Sequence, residues 1–125
     1  MTDQEIFDKV ATHLLTQGKR AGHLMDDGEF RCMYRGPEGT TCAIGCLIPD
    51  DLYSRNMENN NIHALQDKFP EIANFFEMNS NITRVFFLNS LQRAHDNYFE
   101  DPGTLKTRLA RVAVEYGLNT DVLND

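Results

Sequence analysis

Residues 32–53, CMYRGPEGTTCAIGCLIPDDLY, rule out a continuous helix through the middle of the chain. Two prolines and three glycines interrupt the stretch. Proline removes a backbone donor, and glycine forfeits backbone entropy inside a regular element. What the stretch favours is a tight reversal. FRCMYR (30–35) and TTCAI (40–44) carry strand-forming residues on either side of GPEG. Pro37 supplies a fixed φ for the turn, and Gly36 and Gly39 permit positive φ. The spacing therefore predicts a β-hairpin over about 30–45, with Arg35 opposite Thr40 and room for an extra edge strand. Gly45 ends the second strand, and Pro49-Asp50 opens a short turn.

The remainder reads as helical. Ile6, Phe7, Val10, Leu14 and Leu15 recur at helical spacing over 3–17, with Thr2 or Asp3 as cap and Gly18 as stop. GKRAGHLMDDGE after it reads as a polar loop. Further helices are expected near 61–68, from Pro70 to about Glu77, from about Asn81 to Asn97, and from Pro102 to Tyr116. Asp101 is a natural cap before Pro102, and Gly117 a stop. In the third of these Ile82, Val85, Phe86, Leu88 and Leu91 form a wide apolar surface. In the last, Leu105, Leu109, Val112 and Tyr116 form a stripe. The expected fold class is α+β: one hairpin packed against four to five helices, in a single domain over 1–125.

With 125 residues the chain can bury a core without staples. Its net charge of −7 is spread over both halves. Such a field opposes nucleic acid and anionic lipid as partners and favours a basic partner surface. The N-terminus lacks the basic and apolar regions of a leader, and no apolar run approaches a membrane span, so a cytoplasmic protein without a membrane is expected. Cytosolic reduction makes free thiols the first expectation for the three cysteines.

The pattern Cys32-x-Tyr34-Arg35-Gly36, Gly39, then Cys42-Ala43-x-Gly45-Cys46-Leu47-Ile48-Pro49-Asp50 and Tyr53, followed by Met57-Glu58 and by Leu91-Gln92-x-x-His95-Asp96, resembles a family of small proteins of tailed phages and their bacterial hosts. The resemblance runs over nearly the whole chain. It implies a phage or prophage setting, hence the host cytoplasm, and no particular activity. The family pattern would place a tryptophan after the His-Asp pair, and this chain has none.

Several chemistries compete for these residues. Cys32, Cys42, Cys46 and His95 are the right types for a four-ligand zinc site, but only Cys42 and Cys46 have knuckle spacing. No metal or other cofactor is expected. A Cys32–Cys42 disulfide fails on the register expected for a four-residue loop, and on compartment. Cys46 or Cys42 with His95 supplies the types of a cysteine hydrolase or transferase. Adjacent His95 and Asp96 diverge by about 100° on a helix, which argues against Asp96 orienting the ring. The competing reading has His95 and Gln92 bonding the hairpin backbone from a covering helix.

Tyr34, Arg35, Gly36, Gly39 and Arg31 offer a stacking ring, guanidinium groups and free backbone N–H groups for a small anionic nucleotide. Against this, Arg35 has Glu38, Asp50 and Asp51 nearby as ion-pair partners. Exposed methionines and phenylalanines would serve a protein partner or a homodimer. Lys106, Arg108 and Arg111 come with no recognised DNA-binding motif and read as a solvated face. The sequence thus points to a small accessory or host-takeover protein that acts by binding and inhibits a host protein, a defence component being one such target. Nucleotide capture near Tyr34 and Arg35 is the alternative, and a cysteine-dependent enzyme the second alternative.

Overall fold

The computed structural model describes residues 1–96 and 102–124. Among the described residues, five α-helices and one two-stranded antiparallel sheet form an α+β fold in which the hairpin packs against helices. Among the described residues no helix is long and apolar enough to cross a membrane.

Helix α1 (Asp3–Gln17) starts at Thr2, whose hydroxyl accepts from Glu5 N–H while the Glu5 carboxylate accepts from Thr2 N–H. This reciprocal pair satisfies two donors that the first turn leaves open. Gly18 closes it in the left-handed conformation. Helix α2 (Ile62–Lys68) is capped by Asn61, and α3 (Pro70–Phe75) begins at a proline whose missing N–H costs nothing there. Helices α4 (Ile82–Asp96) and α5 (Pro102–Glu115) complete the set. The expected cap at Asp101 and the end of the α4 pattern at Asn97 lie outside the described residues.

Phe7, Val10 and Leu14 of α1, Phe87, Leu88 and Leu91 of α4, and Leu105, Leu109 and Ala113 of α5 meet in one core. Arg84 is almost wholly buried beside it. Its guanidinium is satisfied by Asp3 Oδ1 at 2.8 Å, Phe76 O at 2.9 Å and Met1 O at 3.1 Å. The α4 surface differs from the expectation at two positions. Ile82 and Phe86 are 60% and 51% exposed, and Phe87 is buried in their stead. Residues 82 and 86 share one stripe, and α4 turns that stripe outward while its other faces pack on α1, α2 and α5.

The hairpin pairs β1 (Gly22–Leu24) with β2 (Phe30–Cys32), in the register Gly22 to Cys32, His23 to Arg31 and Leu24 to Phe30. Its first strand therefore comes from the stretch read as a polar loop. Three residues, mostly exposed, carry too little alternation to be recognised as a strand. On the other side, residues 40–44 contribute a single bridge, Arg35 to Thr41, one residue from the expected register.

Gly45 accounts for the early end of that pairing. A Cβ at this position would lie 2.0 Å from the Tyr34 carbonyl oxygen. The backbone at Gly45 thus sits directly on that of Tyr34, and the chain turns away there as a 3-10 turn over Gly45–Leu47.

Candidate functional site

Two hydrogen-bonded clusters hold several of the residues that the sequence singled out. The first is organised by Glu58. Its Oε1 accepts from Tyr34 N–H at 2.8 Å, and its Oε2 accepts from Arg35 N–H at 3.1 Å and from the Tyr53 hydroxyl at 2.6 Å. The carboxylate thus takes the place of a neighbouring strand for two backbone donors that no sheet partner reaches. The Tyr34 ring is buried and its hydroxyl donates to Asn60 O. Burial pushes the Tyr34 phenol upward, and burial together with the Glu58 bond pushes Tyr53 up to about 12. Arg35 is engaged three ways: with Asp50 at 2.8 Å, with Ile48 O at 3.1 Å, and over the Tyr53 ring at 4.2 Å.

The structure therefore divides the five residues read as a nucleotide site. Arg35, Gly36 and Gly39 border a shallow depression with His13, Thr41 and Asp50. Tyr34 and Arg31 border a separate cleft. The Tyr34 ring is packed into the core and offers no free stacking face.

The second cluster centres on Asp96. His95 is fully buried; its Nε2 accepts from Ala21 N–H at 3.1 Å, and its Nδ1 lies 2.9 Å from Asp96 Oδ1. Because Nε2 is an acceptor, the ring proton sits on Nδ1 and is donated to Asp96. Asp96 does orient His95, contrary to the angular argument. A 100° divergence holds at the Cβ atoms, and side-chain termini farther out still converge. Gln92 donates to Asp96 Oδ1 at 3.0 Å, and its carbonyl accepts from Ile44 N–H at 3.3 Å. His95 and Gln92 thus hold backbone from the covering helix: Gln92 bonds Ile44 within the expected hairpin, whereas His95 bonds Ala21 in the stretch read as a loop. The Cys32 sulfur lies within 4.8 Å of the same carboxylate, and burial followed by the Asp96 charge pushes the thiol up to about 12.

The four-ligand set Cys32, Cys42, Cys46 and His95 does not assemble. Cys42 is buried with its sulfur accepting from Gly45 N–H at 3.1 Å, and the Cys46 thiol donates to Ala43 O at 3.1 Å. Among the described residues, the group with ligand atoms close enough for a metal is Cys32, His95 and Asp96, all within 4.8 Å of one another. Its hydrogen bonding does not fit a cation. A metal on Nδ1 would send the ring proton to Nε2, where Ala21 N–H already points.

The same bonds bear on nucleophilic chemistry. Both ring nitrogens of His95 are engaged, so neither is free to take a thiol proton. Burial raises all three thiols, Cys32 and Cys46 to about 12 and Cys42 further in the same direction. All three are free cysteines. A thiolate at neutral pH, the starting point for a cysteine nucleophile, is disfavoured at each.

Between β2, residues 59–62 and α4 lies the cleft on which Cys32 and Asp96 open, with a volume of about 240 Å³. Arg31 and Arg93 flank it, and Asn59, Asn89 and Gln92 line it. Arg31, Arg93, Asn59 and Asn89 have no side-chain hydrogen-bond or ion-pair partner among the described residues. The sequence reading missed Arg93, Asn89 and the role of Glu58. Glu58 sits in the quoted pattern, but nothing local marks it as a carboxylate that caps a strand 23 residues away.

Fold and site together define a small α+β domain with a polar cleft flanked by arginines. No family model, no curated protein and no solved structure matches the chain.

Proposed function

We propose that this protein acts by binding without turnover, and that its site is the cleft between β2, residues 59–62 and α4. The ligand is a small anionic molecule of nucleotide type. The observation that carries this reading is the pair Arg31 and Arg93, both without carboxylate partners among the described residues, beside a cleft whose lining includes the unengaged amides of Asn59 and Asn89. Guanidinium groups in fork geometry suit phosphate oxygens, and amides supply donors and acceptors for the edge of a base. Tyr34 borders this cleft with its polar groups committed to Glu58 and Asn60, while Arg35 lies outside the cleft lining and pairs with Asp50. In the phage setting that the resemblance implies, such a protein is an accessory factor of the host cytoplasm that sequesters a nucleotide. Calorimetric titration of the protein with nucleoside monophosphates tests it. Binding that Arg93→Ala weakens about tenfold supports the reading, and no heat at millimolar ligand contradicts it.

A second reading has its own observation. Ile82 and Phe86 form an exposed apolar pair one turn apart on α4, with the His63 ring edge-on to Phe86 at 6.2 Å. On an acidic protein this pair suits contact with a host protein that carries an apolar pocket within a basic surface, the contact through which a host-takeover factor would inhibit. A host-lysate pull-down compared between the native chain and Phe86→Asp tests it. Size-exclusion chromatography of the same two proteins separates a host contact from a homodimer.

A further inference from the structure

The cleft does not end at Arg93. That side chain also lines a groove of about 300 Å³ between α4 and α5, which Ser90, Arg108, Arg111 and Glu115 border as well. Arg108 and Arg111 are three residues apart on α5 and so share a face. Neither has an ion-pair or hydrogen-bond partner among the described residues, and the Arg108 Nε–H is buried without an acceptor. Glu115 borders the groove yet comes within ion-pair distance of none of these arginines.

The chain has nineteen acidic residues against twelve basic ones. Four arginines without carboxylate partners among the described residues border the two concavities, and one of them, Arg93, borders both. We propose that cleft and groove form one site for a nucleotide carrying two separate phosphate groups. One phosphate lies between Arg31 and Arg93, and the other between Arg93, Arg108 and Arg111.

The chemistry follows from the side chains. Guanidinium groups bind phosphate oxygens in pairs, and Arg108 and Arg111 border the groove from one face of α5. Arg93 reaches both phosphates from the wall that the two concavities share. The groove contributes an apolar floor from Ala94 and Val112, and the cleft contributes the amides that face the base. Taken together the two spaces fall within the roughly 300–1,000 Å³ of small-molecule sites.

This inference rests on the cleft reading, and one experiment separates their failures. The full chain is titrated calorimetrically at low salt with a nucleoside monophosphate and with the matching bisphosphate, phosphorylated at both ends of its ribose. Adenosine, guanosine and uridine forms are each used. The expected result is a bisphosphate affinity at least about tenfold above that of the monophosphate. The double substitution Arg108→Gln with Arg111→Gln removes this gain and leaves monophosphate binding unchanged, whereas Arg31→Gln weakens both ligands. Far-UV circular dichroism of each variant confirms that these partly exposed positions leave the fold intact.

Equal affinities for the two ligands, with Arg31→Gln still weakening both, overturn the two-phosphate site and leave the cleft. Absence of binding by every nucleotide at millimolar concentration overturns both readings. Binding of a single-stranded oligonucleotide alone, with no small nucleotide bound, overturns them in favour of a nucleic-acid surface.

Discussion

The backbone N–H of Ala21 donates to Nε2 of His95 at 3.1 Å, and this bond ties the entry to the hairpin to the last turn of α4. His95 has no solvent exposure, so Ala21 N–H has no water to fall back on. An unpaired buried donor costs about 1–3 kcal/mol, and the cavity left by a deleted ring adds to it. His95→Ala is therefore expected to destabilise by about 3 kcal/mol or more, read as a lower urea midpoint with an unchanged slope. His95→Phe fills the space but leaves the donor unpaired, and should recover only part of the loss. A His95→Ala midpoint equal to that of the native chain would show that this bond holds nothing.

Glu58 offers a second lever, since two oxygens serve three donors. Glu58→Gln replaces one oxygen with an NH₂ that confronts donors, and hydrogen bonds to a charged acceptor are the stronger kind. Destabilisation of about 2–3 kcal/mol is expected. Tyr53→Phe removes one of the three donors and should cost about 1 kcal/mol. In Glu58→Gln the added Tyr53→Phe change should cost less than it does alone, because its acceptor is already lost. Additive losses in the double variant would mean that the hydroxyl and the carboxylate act separately.

The helices were legible from residues that act locally. Thr2, Gly18, Asn61 and Pro70 each cap or start an element through bonds within a few positions of themselves, and the bounds of α1 to α5 follow the apolar periodicity closely. The hairpin was legible as an element but not in its pairing. Strand partners are fixed by contacts distant in sequence, and β1 is only three residues long. Within the site, Gln92 was legible as a residue bonding the 30–45 segment from a helix, while the His95 partner, Ala21, lay in the stretch read as a loop. The Asp96 contact was not legible, because the 100° divergence applies to Cβ directions and not to the reach of whole side chains. Glu58 and Arg93 act on partners that no spacing rule connects to them.

Gly45 makes a prediction about the segment that first limited the fold. A methyl group there would overlap the Tyr34 carbonyl oxygen at 2.0 Å, a backbone atom that cannot rotate away. Gly45→Ala must push the 42–47 turn off the Tyr34–Arg35 backbone, which in turn disturbs the Glu58 bonds. Overpacking of this kind costs about 1–3 kcal/mol or more. The expected outcome is a lower melting temperature and faster amide exchange at Tyr34, Arg35 and Cys42. A fully native exchange pattern would mean that the turn accommodates the methyl group.

The thiols set the behaviour of the protein at alkaline pH. Burial raises Cys32 and Cys46 from the ordinary value near 9.0 to about 12, and moves Cys42 the same way. Between those values the unfolded chain has released its thiol protons while the folded chain keeps them. The unfolded state then binds fewer protons, so stability falls as pH rises. The contribution is fully present below the unfolded value and is lost as pH climbs toward the folded one. Urea midpoints compared at about pH 8 and about pH 10 should show a marked loss for the native chain. Replacing Cys32 or Cys46 with alanine should shrink that loss, whatever either substitution does to stability at the lower pH. Iodoacetamide should likewise modify the native thiols far more slowly at about pH 8 than those of the urea-unfolded chain, Cys42 slowest of all. A native chain alkylated at the unfolded rate would mean that these thiols are neither buried nor protonated, and would restore a cysteine nucleophile as a live reading of the 32–46 segment.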